Sequence, residues 1–169
     1  LKNVLATIHA GEYENGEFRL NTAGALFFAK DISKFNISHQ VKMVRFFDEE
    51  GINTFEKAEY NLSILKLLKE AELFFNKTLV NISQIKSFKR KTMQQYPFEA
   101  IREALVNALA HRDYTITTAS ITFYIYNDRI EIRSPGRLVY PLTISELEEN
   151  KPIHRNEAIC NIFSKTKYM

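Results

Sequence analysis

The chain has 169 residues, enough for one domain or for two small subdomains that share a core. A hydrophobic content of 45%, with 13 Phe, 8 Tyr and no Trp, excludes a disordered chain. The net charge of +3, from 23 basic and 20 acidic residues, is too balanced to imply a nucleic-acid surface, and the single Cys160 excludes an intramolecular disulfide. No apolar run approaches membrane-helix length and no secretory leader is visible, so a reducing cytoplasm is the expected compartment. Starting at Leu1 and stopping just after a helical pattern, the chain reads as a fragment of something larger.

Asn21 to Ala29 reads as a short helix packing Ala25, Leu26 and Phe28. Gln40 to Phe47, rich in Val and Phe, is a strand candidate; Asp48 to Gly51 is a turn and Asn53 to Glu59 returns as the second strand of a hairpin. Leu62 to Phe75 carries Leu65, Leu68 and Phe74 at helical spacing, with lysines and glutamates on the solvated face. Thr78 to Ile85 and Phe88 to Gln94 read as strands, and the basic cluster Lys86, Lys89, Arg90 and Lys91 there protects an exposed edge.

Next comes Tyr96 to Tyr114. Ile101, Leu105, Ala108 and Leu109 fall on one helical face, while Glu103, Asn107 and His111 recur every fourth residue along another. Pro97 suits the first turn, where its missing N–H costs nothing. A polar stripe of this kind is most often the solvated side of an amphipathic helix. Here Ala100 and Ala104 leave room beside it, and a carboxylate and an amide one turn apart can hold a hydrated Mg²⁺ and a water near a phosphate.

Ser120 to Tyr126 and Arg129 to Arg133 flank Asn127-Asp128, a two-residue hairpin turn, and Ser134-Pro135-Gly136 breaks the second strand. Thr143-Ile144-Ser145-Glu146 forms a capping box opening a short acidic helix. Asn156 is placed to cap a last helix carrying Ile159, Ile162 and Phe163, inside which Cys160 is a small buried hydrophobe. Helices interleaved with antiparallel strands predict an α+β two-layer sandwich, divided into an N-terminal subdomain over 1–85 and a second over 86–169.

The stretch Tyr96 to Tyr114 resembles the signature of a prokaryotic family of transcriptional regulators also labelled "ATP-dependent DNA helicase RecG-related". That family's domain is described as a divergent member of the GHKL ATPase fold of histidine kinases, gyrase, heat-shock chaperones and MutL. Two further blocks resemble it, Ile130 to Leu138 and Arg155 to Phe163, with a looser match at Asn21 to Ala29. The resemblance implies ATP and Mg²⁺ as cofactors, Glu103 as the general base and Asn107 as the Mg²⁺ ligand. It implies Asn107, His111, Arg112, Ser134 and Gly136 as the nucleotide-binding set, Arg112 as a reach toward a phosphate, and a truncated GHKL domain whose second glycine motif would follow Tyr168. The alternative for Arg112 and Asp113 is that they pair with neighbours and fix the turn into Tyr114. The sequence departs from the family's Asp-x-Gly-x-Gly pattern, since Ser134 stands for the adenine-contacting aspartate and Leu138 for the last glycine.

No P-loop is present, so the helicase label has no motor behind it in these residues. No Cys/His cluster has zinc spacing, and His9, His39 and His154 are isolated along the chain. Two readings of different class follow: a nucleotide-binding regulatory domain, at most a slow ATPase, of a DNA-binding regulator; or a ligand-free dimerisation or scaffold module. In the first, DNA contact belongs to domains outside this sequence. A third, direct nucleic-acid contact through Lys86 to Lys91, is the weakest of the three.

Overall fold

A computed structural model describes residues 1–79, 96–139, 145 and 153–166. Helix α1, Lys2–Thr7, is followed by strands β1, Gly11–Glu14, and β2, Glu17–Leu20. Asn15 and Gly16 turn this small hairpin, both with positive φ, 50° and 82°. Asn and Gly are the residues that adopt this backbone most readily. Helix α2, Thr22–Phe28, starts at Asn21, whose side-chain oxygen accepts from the Gly24 N–H at 2.8 Å. Gly24 lies so close to the Ala10 carbonyl that a Cβ there would sit 1.7 Å from its oxygen, so no larger residue fits. Phe27 rather than Phe28 is the buried aromatic of α2, because Phe28 turns to the rim.

Strands β3, Val41–Phe46, and β4, Thr54–Tyr60, form the expected antiparallel hairpin, with a bulge between Arg45 and Phe46. Asp48 fixes its turn by accepting from the N–H groups of Gly51, Ile52 and Asn53. Helix α3 runs Ile64–Leu79, and α4 runs Phe98–Ala110. Strands β5, Ile121–Ile125, and β6, Ile130–Arg133, make the second hairpin, and α5 spans Glu157–Ser164.

The four larger strands form one mixed sheet in the order β4-β3-β5-β6, with β3 and β5 parallel and both outer pairs antiparallel. Alternation along β3 and β5 sends Val41, Met43, Ile121, Phe123 and Ile125 into the main core with Leu67, Phe75, Leu105, Leu109 and Phe163 from the helices. The opposite side chains, Val44, Phe46, Tyr124 and Tyr126, form a smaller cluster on the other face. The architecture is therefore α+β, with helices packed on a mixed sheet. Strands from before and after residue 85 share that sheet, and one core draws on both halves.

The structure corrects the reading of Thr78 and Leu79 as the start of a strand. Both are buried in the last turn of α3, where the Thr78 hydroxyl donates to the Phe74 carbonyl at 2.8 Å. A β-branched residue four places after a helical carbonyl can bond back to it and stay helical. The remainder of that strand, the strand over 88–94 and the basic cluster at 86–91 lie outside the described residues, as does the capping box over 143–146 except Ser145. Among the described residues no helix is long and apolar enough to cross a membrane.

Candidate functional site

Pro97 sits in an extended conformation just ahead of α4, one place earlier than the first helical turn. The apolar face of α4 buries Ile101, Leu105, Val106, Ala108, Leu109 and Ala110 against the core, and Glu103, Asn107 and His111 form an exposed stripe. At 1.5 Å per residue, about 12 Å of axis separates Glu103 from His111, with Asn107 midway. A ligand that uses all three must be as long as a nucleotide polyphosphate.

The end of α4 gathers all three of the sequence blocks. His111 closes the helix, its N–H bonded to the Asn107 carbonyl at 2.9 Å. The Ser134 hydroxyl donates to the Ala108 carbonyl at 2.8 Å, which docks the loop after β6 onto the helix. Pro135 accepts from the Asp113 N–H at 2.7 Å. Gly136, at φ 132°, lies against Asp113, and a Cβ there would come within 3.0 Å of the Asp113 Cβ. No L side chain adopts that backbone easily, and a Cβ would crowd Asp113.

Arg112 sits as its turn-fixing alternative describes. It is fully buried, and its guanidinium donates to the carbonyls of Asp113, Ile116 and Ala119, the last two at 3.0 and 2.7 Å, while lying 5.3 Å from the Tyr114 ring centroid. Burial pulls its pKa down, Tyr114 and Asp113 oppose that, and arginine stays charged throughout. It organises the loop into Tyr114, whose hydroxyl donates to the Leu109 carbonyl at 2.9 Å, while its own Nε is buried without a hydrogen-bond partner. Asp113 is likewise engaged. Its carboxylate accepts from the Thr115 hydroxyl and N–H at 2.6 and 3.0 Å and pairs with Arg155 at 3.1 Å. The Thr115 hydrogen bonds, with the two arginines adding, hold its pKa below the usual value.

Asn156 stands at the N-terminus of α5 but does not cap it. Its amide donates instead to the Ala110 and Arg112 carbonyls at 2.8 and 2.7 Å, satisfying backbone acceptors at the end of α4. Asn156→Ala should lower stability by about 1–3 kcal/mol, read from urea unfolding, because it leaves both carbonyls without that donor. A change below a few tenths of a kcal/mol would mean water replaces it freely. Arg155 also donates to the Arg137 carbonyl.

His154 proves to be far from isolated. Its ring lies 5.9 Å from that of His111 at 29°, and both are exposed. Partial burial, then His154 and Arg155, hold the His111 pKa below its ordinary value. His39 is buried beside Tyr114, 6.1 Å between centroids, and neither ring nitrogen makes a hydrogen bond. Cys160 is buried, as expected, and burial raises its thiol pKa.

Residues 118–169 match a family model described as "Putative ATP-dependent DNA helicase recG C-terminal". That stretch holds Ser134, Gly136 and Asn156 but stops short of Glu103 and Asn107 on α4. No curated protein matches the chain. The crystal structure of the DIP2311 protein from Corynebacterium diphtheriae is similar in fold, with a TM-score of 0.76 at 24% identity over 99% of this chain. The chain spans 33% of that protein. The C-terminal part is thus similar to a RecG-related ATPase-like domain, set in a fold that a longer protein also contains.

A separate cavity of about 430 Å³ opens between α3 and α4, lined by Leu68, Phe75, Phe98, Ile101 and Leu105 with Glu72 and Arg102 among its polar lining. It lies against the buried face of α4 and does not include Glu103, Asn107 or His111. Among the described residues no three His, Cys, Asp or Glu side chains group to hold a metal.

Proposed function

We propose that this chain is a Mg²⁺–nucleotide-binding regulatory domain, with ATP the expected nucleotide, belonging to a prokaryotic DNA-binding transcriptional regulator. The observation that carries this reading is the exposed pair Glu103 and Asn107, one turn apart on α4, with the Ser134–Gly136 loop docked beside Asn107 through the Ala108 carbonyl. The oxygen donors on this stripe suit Mg²⁺, which takes oxygen ligands and keeps several waters. Asn107 would hold the ion, and Glu103 would orient or deprotonate a water. Bound ATP would supply the phosphoanhydride. Gly136 lets the loop approach closely, and the Ser134 hydroxyl retains accepting capacity for an amino group, without the charge of an aspartate. Hydrolysis, if any, is slow, DNA contact lies outside this chain, and no helicase motor is part of the reading.

Two observations favour a ligand-free dimerisation or scaffold module instead: Arg112 is fully buried with its terminal nitrogens on loop carbonyls, and Ser134 donates its hydroxyl to α4. Calorimetric titration of ATP with and without Mg²⁺ separates the two. Parent protein should bind in a Mg²⁺-dependent manner and Asn107→Ala should lose that binding while its circular dichroism stays unchanged. Equal binding by both would remove the assigned role of Asn107.

A further inference from the structure

The pairing of His111 with His154 was invisible in the sequence and is used by nothing described so far. The two rings come from different elements, the end of α4 and the segment before α5, and they meet in the open. Their surroundings favour an anion. Arg155 follows His154 and spends its guanidinium on Asp113 and the Arg137 carbonyl, which neutralises the Asp113 carboxylate. Arg112 adds a buried positive charge at the end of α4. Among the described residues, Glu157 lies in the first turn of α5 and Glu103 two turns back along α4. Two imidazoles offering N–H donors side by side are suited to phosphate oxygens.

Position along α4 says which phosphates. On the nucleotide reading, on which this inference rests, Glu103 handles the water that attacks the terminal phosphate, so that phosphate lies on the Glu103 side of Asn107. His111 stands one turn beyond Asn107 on the opposite side, about 6 Å along the axis. We propose that His111 and His154 form a two-imidazole clamp for the inner phosphates of the bound nucleotide, with His154 a binding residue contributed from outside the helix.

The test is calorimetry of ATP, ADP and adenosine against the parent, His154→Ala and His154→Gln, with pyrophosphate titrated in parallel while the imidazole ring signals are followed by NMR. Loss of one charge-assisted contact corresponds to roughly tenfold in affinity. His154→Ala should weaken ATP and ADP alike by about that factor and leave adenosine unchanged, and His154→Gln, which keeps a donor, should recover part of the loss. Parent-like affinity of His154→Ala for ATP and ADP would overturn the clamp and leave the rings as mere packing, with the nucleotide reading intact. If the parent binds neither nucleotide, the nucleotide reading fails. Pyrophosphate then judges the pair alone, since a shift of both ring signals supports a phosphate clamp and static signals overturn it.

Discussion

Arg112→Ala should cost roughly 3–5 kcal/mol of stability, more than any other single substitution at the end of α4. Arg112 has no exposed surface, and its donors hold three backbone carbonyls of the loop that follows the helix, those of Asp113, Ile116 and Ala119. Truncation leaves these part-buried acceptors without that partner and removes a fully buried side chain beside Tyr114. Because that loop also carries Asp113, which receives Arg155 and bonds to Pro135, the damage should reach the loop after β6 and the start of α5. Arg112→Lys should recover only part of the loss, since one ammonium cannot reproduce a planar fork that reaches three carbonyls. Urea unfolding with intrinsic tyrosine fluorescence measures this. A loss under 1 kcal/mol would mean the loop does not depend on the guanidinium.

Acid should destabilise the fold through His39. Burial, followed by the nearby Arg112 charge, lowers its pKa from 6.5 to about 4, with the Leu62 backbone opposing. The groups facing the ring are Arg112, a cation, and Tyr114, held neutral by burial. A histidine whose folded pKa is depressed refuses a proton that the unfolded chain accepts. Stability is therefore full above pH 6.5 and falls as pH drops through the window from 6.5 to about 4. The shift corresponds to roughly 3 kcal/mol once the window is crossed. Unfolding free energies measured at intervals from pH 7.5 to 4 should show this slope in the parent and lose it in His39→Leu. Parallel curves for the two proteins would remove His39 as the cause.

The elements with strong local patterning were legible in the sequence. The β3–β4 and β5–β6 hairpins follow from Val/Ile/Phe runs closed by Asp-Glu-Glu-Gly and Asn-Asp, and the face of α4 follows from apolar residues at helical spacing. The β1–β2 hairpin went unread although Asn15-Gly16 is a strong turn signal, because its strands alternate charged and apolar residues over only four positions each. Periodicity also stopped α3 too early: Asn76 and Lys77 break the apolar pattern, yet Thr78 and Leu79 are buried in the same helix.

At the site, the stripe of Glu103, Asn107 and His111 was readable from spacing on one element. What was not readable came from contacts across elements. Arg112 is the local exception: its sequence position allows both a reach toward a phosphate and pairing that fixes the turn into Tyr114, and the structure shows three carbonyls of the following loop taking its guanidinium. Asn156 sits where a cap belongs, but the nearest unsatisfied backbone is that of another helix. His154 looks solitary until the segment before α5 returns to the end of α4.

The measurement that bears on the nucleotide reading with fewest assumptions is a titration of ATP and Mg²⁺ into isotope-labelled protein, followed by amide NMR. The expected shifts gather at Glu103, Asn107, His111, Ser134 and Gly136, with the core strands β3 and β5 unmoved. Shifts confined to Phe98, Ile101 and Leu105 on the cavity side of α4, or no shifts at saturating nucleotide, would contradict a nucleotide site on this stripe.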